Sequence, residues 1–254
     1  RDLAMLKRRE THFLLLAAAG GYGLWLLRAR ALGSADVARA RILFCTAPLL
    51  IGALSAFTRE RAGLRTIGSL LLGFVGCAII IVWGHNQPEG AEPASSAAGN
   101  LYALGAAACW AAFSLLARPI VREEKALPTA FLVTGIGAAF LLVTCLFARL
   151  SIFAVTSGQL KATILPGFFT VGLMMVFWLK CVGLVPAPIA APFWYLGVLF
   201  GLLWVGKAGM TVSFWWALLG AGVVLFGVHA VAGARARTTA TMSDVIRGWG
   251  SKEV

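Results

Sequence analysis

Four cations, Arg28, Arg39, Arg41 and Lys180, stand inside or at the margin of long apolar runs, and they are the first residues that could do chemistry. A guanidinium presents a rigid fork of donors that matches a carboxylate or phosphate, whereas an ammonium presents a point charge. Arg28, Arg39 and Arg41 crowd one turn and read as a basic ring that attracts an anionic or zwitterionic solute; headgroup contact with pairing to Asp36 is the structural alternative. Arg41 leads, because it lies deepest, seven residues before Pro48 on the same run. Lys180 lies within snorkelling reach of the end of its run, and as a binding residue it would set charge preference together with Arg41.

Aromatic rings are the second resource. Of 28 aromatic side chains nine are Trp, and Trp83, Trp204, Trp215 and Trp216 fall near run ends, as an interfacial belt requires. Tyr22, Trp25, Tyr102, Trp110, Trp178, Trp194 and Tyr195 fall nearer the middles. There a ring can stack on a flat or apolar solute, and a tyrosine hydroxyl can add a hydrogen bond. Trp110, Tyr195, Trp178 and Tyr22 therefore join Arg41 and Lys180 as candidate substrate-binding residues, with packing between helices as the plain alternative. Pro48, Pro166 and Pro192 remove backbone hydrogen bonds. Such breaks are tolerated where a cavity or a neighbour satisfies the freed carbonyl, so Pro48 and Pro192 are candidate hinge or cavity-backbone positions.

Other chemistries are thinly supplied. All ten Asp and Glu sit in loops, tails or run ends such as Glu60, and His12, His85 and His229 also fall at run ends. Metal-dependent and phosphotransfer enzymes need paired carboxylates or His ligands, and a serine protease needs a Ser with a His partner. The expectation is no catalytic residue, no metal and no cofactor. Cysteines at 45, 77, 109, 145 and 181 form no CxxC and read as small packing residues.

The elements that hold these residues follow from composition. The chain has 254 residues, 60% of them apolar, and a mean hydropathy of +0.87; ordinary soluble domains carry about 45–50% apolar residues. A bilayer core needs about 20 apolar residues per helix. Eight windows satisfy this: 13–32, 38–57, 66–84, 100–118, 128–148, 162–181, 187–206 and 213–231. The predicted fold is an all-α multi-pass transmembrane bundle. A net charge of +12 would suggest nucleic acid for a soluble domain, but here the Lys and Arg record topology: 15 fall on one side of an eight-helix zigzag and seven on the other. Both termini are expected in the cytoplasm, with a solvated tail after residue 232 in which Ser243 and Asp244 open a short helix. Glycines, 29 in all, including the Gly197/Gly201 step, allow close helix approach.

Residues 33–84 resemble the drug/metabolite transporter superfamily, specifically its EamA-like members. The matching features are a turn opening a helix at Ala35 to Ala38, Pro48 followed by Leu49, a charged RER that ends that helix at Glu60, and Gly68, Gly73 and Gly76. Residues 99–118 are similar to the first helix of the family's second half through Trp110-Ala111, and 190–206 to its proline-aromatic helix through Pro192 and Tyr195; Lys207 departs from an acidic residue usual there. The resemblance implies ten helices in two inverted halves, of which this chain holds the last eight: 1–98 as the remainder of the first repeat, 99–232 as the second, and 233–254 as a tail. Arg1 and the basic stretch to Arg9 read as a cytoplasmic connection from preceding helices. An echo of 59–76 in 205–222, at an offset of 146 or 147, has the opposite orientation that such a repeat requires.

The implied activity is alternating-access transport of a small metabolite or drug-like solute across a plasma membrane, the inner one in a bacterium. With no buried carboxylate to titrate, coupling falls to a histidine such as His229, a counter-flowing solute or a helix outside this sequence. The expected partners are the solute and the lipid bilayer, with no nucleic acid, and a homodimer is compatible with the sequence. The alternatives are a membrane enzyme acting on a lipid-type substrate through Glu60, Glu123 and Glu124, or a non-transporting fragment.

Overall fold

A lipid interior offers no hydrogen-bond partner to the backbone, so an apolar chain must satisfy its peptide groups internally, as helix. The computed structural model describes residues 10–58, 62–83, 96–123, 126–149, 156–205 and 213–231. Among them 92% are helical and none forms a strand. The elements are α1 (Glu10–Ser34), α2 (Ala38–Phe57), α3 (Leu64–Trp83), α4 (Ala97–Glu123), α5 (Ala126–Phe147), α6 (157–184), α7 (187–205) and α8 (Phe214–Val231). All eight apolar windows thus reappear as helix. The chain is a multi-pass helical membrane protein.

Among the described residues the seven elements other than α7 are long and apolar enough to cross a membrane, and α7 contains the shorter apolar helix Ala187–Phe200. It is built from Ala187–Ala190, a 3-10 segment Ala191–Tyr195 and Leu196–Val205. Pro192 has no N–H to give to an α-helical ladder, and the chain answers with the tighter turn. α2 is interrupted too, at Cys45–Thr46 between Val37–Phe44 and Ala47–Leu54. Helices also outrun their apolar windows: α4 continues past Arg118 through Pro119 to Glu123, because a helix end in the interface needs no apolar residues. The RER turn with Glu60, the loop after Trp83, Lys207, Arg1 to Arg9 and the tail with Ser243 and Asp244 lie outside the described residues.

Two stretches of the chain repeat the same local structure. A seven-residue π-helix, Ala17–Gly23, runs into an α segment, Leu24–Ser34. The π-helix Gly167–Leu173 runs into Met174–Leu184 in the same way, each bound shifted by 150 positions. Both α segments then end on an extended residue, Ala35 (φ −125°, ψ 159°) and Val185 (φ −131°, ψ 151°). Asp36 (φ −55°, ψ 131°) and Pro186 (φ −52°, ψ 137°) follow and open the next helices. The spacing differs from the 146 or 147 of the sequence echo by about one helical turn. Small residues recurring every turn let such an echo slide by that amount.

α3 and α8 run antiparallel through a close crossing. A β-carbon on Gly76 would meet the Gly220 carbonyl and Val224, one on Gly220 would meet the Gly76 carbonyl and Ile80, and one on Gly227 would meet Gly73. The Ser69 hydroxyl donates to the Gly227 carbonyl at 2.5 Å, and Trp83 stacks on Trp216 at 5.6 Å between centroids. At Gly197, by contrast, a β-carbon would meet nothing within 4 Å, so that glycine makes no close packing step.

α4 is the central post. Ala106, Ala107, Trp110, Ala111, Phe113 and Ala117 are all buried, and the alanines let α1, α2 and α6 approach it closely. The Ser96 hydroxyl, just before α4, donates to the Ser34 carbonyl at 2.6 Å and pins the start of α4 to the end of α1. Replacing Gly76 or Gly220 by Leu should force α3 and α8 apart and cost about 1–3 kcal/mol by overpacking. In detergent this reads as a fall of several degrees in Tm. Gly68→Leu, at a position with open space, should leave the Tm unchanged; equal melting of all three variants would contradict the close crossing.

Candidate functional site

At the end of the bundle marked by Asp36, the second half of α1, the first segment of α2 and α4 enclose a pocket of about 120 Å³. Its walls are small because Ala31, Ala40, Ala103 and Ala106 line it, and its polar groups come from Arg28 and Arg41. Arg28 lies six residues before Ser34 and Arg41 five residues after Asp36. At 1.5 Å per residue they sit about 9 Å and about 7.5 Å below Ser34 and Asp36 respectively. The Arg28 guanidinium lies over the ring of Phe44 at 5.1 Å and near that of Trp25 at 5.8 Å. Asp36 spends its carboxylate on the start of α2, accepting from the N–H groups of Ala38 (3.3 Å) and Arg39 (2.9 Å). The pairing of Asp36 with the arginines considered from the sequence thus competes with a helix cap.

Below the pocket lies a packed aromatic floor. Phe44 meets Trp194 edge-on at 6.0 Å, and Trp194 meets Trp110 at 4.5 Å. Trp178 completes a triangle, 5.3 Å from Trp110 and 5.8 Å from Trp194. The Trp178 indole donates to the Ser114 hydroxyl at 3.1 Å, and that hydroxyl donates in turn to the Trp110 carbonyl at 2.8 Å. The indole N–H groups of Trp110 and Trp25 and the Tyr195 hydroxyl are buried with no hydrogen-bond partner among the described residues. Such groups carry a standing cost of about 1–3 kcal/mol each, which a polar ligand atom would relieve.

The 150-residue shift relates the two features. It carries Arg28 to Trp178 and Phe44 to Trp194. Equivalent positions in the two copies therefore hold a cation beside an open recess in one, and two indoles closed against Trp110 in the other.

The residues singled out from the sequence divide accordingly. Arg41 lines the pocket, whereas Trp110 and Trp178 do not touch it and pack with Trp194 in the aromatic floor behind Phe44. Tyr195 is fully buried with its ring against Gly73, so it locks α7 to α3. Tyr22 bonds Thr144 through its hydroxyl at 2.9 Å and meets Phe140, which ties α1 to α5. Lys180 is exposed and lines no described pocket. Pro48 and Pro192 are buried, each within three residues of a break in its helix. Arg28 stood in the basic ring and Trp194 among the mid-run aromatics, without being chosen as binding residues, and Phe44 was not singled out. Phe44 was findable, since it follows Arg41 by three residues and so shares its helix face.

A second recess, about 380 Å³, lies between α2 and α3. Among the described residues its one polar side chain is Ser55, which already donates to the Gly52 carbonyl and accepts from the Ala62 N–H. Among the described residues no three His, Cys, Asp or Glu side chains are grouped to hold a metal ion.

No protein-family model and no curated protein matches the sequence. Nineteen solved chains do match, among them a crystal structure that aligns with a TM-score of 0.72. The alignment covers 86% of this chain and 76% of the other at 19% identity. The fold is shared. At that identity the likeness extends to the arrangement of helices and no further.

The floor makes its own prediction. Ser114→Ala removes the acceptor of a buried indole N–H and should cost about 1–3 kcal/mol. The double variant Ser114→Ala/Trp178→Phe removes the donor as well and should recover most of that loss. Thermal unfolding in detergent measures both, and a double variant less stable than Ser114→Ala alone would refute the pairing.

Proposed function

We propose that this chain is a secondary carrier that moves a small metabolite across the membrane by alternating access, of the EamA-like kind within the drug/metabolite transporter superfamily. The observation that carries the reading is the unlike filling of equivalent positions: Arg28 and Phe44 beside an open pocket, Trp178 and Trp194 closed on Trp110. Five membrane crossings separate α1 from α6, so matching elements face opposite ways, as an inverted repeat demands. A recess at one end with packed aromatics at the other is the geometry of one-sided access. The antiparallel α3–α8 crossing supports the same reading by joining the last element of each repeat.

Size narrows the cargo. Pockets for drug-sized molecules are about 300–1,000 Å³, so the pocket of about 120 Å³ favours a metabolite of few heavy atoms over a drug-like solute. Trp110 shapes the floor, Arg28 and Arg41 face the solute, and the breaks beside Pro48 and Pro192 supply the points about which segments turn. The location that goes with this reading is the plasma membrane, with both termini in the cytoplasm.

Proteoliposomes holding the chain test the proposal. Assayed with a panel of labelled small carboxylates, amino acids and sugar phosphates, they should accumulate or exchange at least one solute faster than protein-free vesicles. Arg41→Ala and Trp110→Ala should each lower that flux at least tenfold, and Lys180→Gln should leave it intact. No flux for any panel member, or flux indifferent to Arg41→Ala and Trp110→Ala, would remove respectively the carrier reading or its site.

A further inference from the structure

We propose that the Arg28/Arg41 pocket is an oxyanion site, built to hold the carboxylate or phosphate group of a small solute, with Arg28 as the fixed anchor and Arg41 as the second arm. As a statement about cargo it rests on the carrier reading; as a statement about binding it rests on the geometry alone.

Two guanidinium-bearing residues line one small pocket, and among the described residues no carboxylate lines it with them. Asp36, the acid nearest to both in sequence, is engaged in capping α2. Like charges sharing a recess repel, and an anion between them turns that repulsion into attraction.

Arg28 is also oriented. Phe44 and Trp25 lie within cation–π range of its guanidinium. These rings hold the guanidinium in place, and its fork of N–H donors is what matches two oxygens of a carboxylate or phosphate. The alanine walls leave room for the oxyanion and a short body but not for a bulky one.

The repeat removes the alternative that the fold itself needs a cation at these positions. Shifted by 150 positions, Arg28 becomes Trp178 and Arg41 becomes Ala191, both well buried without charge. The backbone accommodates an uncharged residue at each equivalent place. Two arginines within apolar spans are therefore a property of this end of the molecule, and intramembrane cations mark ligand paths by default.

The ligand chemistry has two sources, a dissolved anion or the phosphate of an anionic lipid, and the test separates them. The purified chain is placed in nanodiscs of phosphatidylcholine alone, and its thermal midpoint is followed against benzoate, inorganic phosphate, benzyl alcohol and benzylammonium. Benzoate and phosphate should raise the midpoint in a saturable way, and the neutral and cationic probes should not. Arg28→Gln and Arg41→Gln should each weaken apparent affinity at least tenfold. Arg41→Lys should retain a weakened response, because charge survives while the fork is lost; this variant also serves if a Gln variant fails to fold.

In nanodiscs containing phosphatidylglycerol, loss of the benzoate response together with arginine-dependent retention of that lipid in native mass spectrometry would assign the site to the lipid headgroup. The oxyanion site would then stand and the solute as its source would fall. No saturable anion response in either bilayer without such lipid retention, or a response equal in wild type and both Gln variants, overturns the proposal. Anion binding without flux in proteoliposomes would sink the carrier reading alone, and flux of a neutral solute without anion binding would sink this one alone.

Discussion

A bilayer interior leaves the backbone no solvent to turn to, and every departure from regular helix in this molecule has to be satisfied from within. The interruption of α2 shows how. The Thr46 hydroxyl donates to the Leu43 carbonyl at 2.6 Å, and the Thr46 N–H reaches the same oxygen at 3.1 Å. At the far end of that helix Ser55 serves the Gly52 carbonyl in the same manner. The 3-10 segment of α7 keeps its own tighter ladder around Pro192. These breaks also aim side chains: Phe44 is the last residue before one, and Trp194 lies within the other. The aromatic floor is thus a product of where the helices give way.

Around that floor, size and charge are distributed unevenly. α4 offers alanines to its neighbours over most of its length, which brings backbones close, and interrupts them with Trp110 and Phe113 at mid-helix. Toward the Asp36 end the alanines Ala31, Ala40, Ala103 and Ala106 remain, and with Arg28, Leu32, Arg41 and Phe44 they surround a space between α1, α2 and α4 that stays open. A recess of this kind needs no special cavity-forming device. It results from small side chains on three helices at one level, with the longer ones set around them.

Much of this was legible in the sequence because lipid imposes one simple rule. Window length and apolarity placed all eight helices, and Pro48 and Pro192 marked both interrupted ones. Trp110 and Arg41 stand out in the sequence because one is an amphipathic ring near mid-helix and the other a cation at unusual depth. The pairing of Arg28 with Phe44 and of Trp194 with Trp110 was not legible, since it depends on how separate helices rotate about their axes, and a largely apolar helix carries little pattern to fix that rotation. The 150-residue repeat was hidden for a related reason. Gly33 with Gly183, Ala40 with Ala190 and Leu49 with Leu199 coincide, but Arg28 with Trp178 and Asp36 with Pro186 share only a backbone conformation. Tyr195, prominent as a motif residue, turned out to be fixed against Gly73.

The antiparallel α3–α8 pair sets a ruler for the surrounding lipid. Among the described residues α3 runs for 20 residues and α8 for 18, which at 1.5 Å per residue cover about 30 and 27 Å. The Trp83–Trp216 stack lies toward one end of this pair, and Arg65 lies one residue inside the opposite end of α3. Each stretch is enough to cross a hydrocarbon layer of about 30 Å. A thicker layer would drag the indole stack beneath the headgroups or pinch the membrane around it, at a cost of fractions of a kcal/mol per ångström. Acyl-chain length therefore acts on this molecule as a mechanical load, applied at the crossing of α3 and α8.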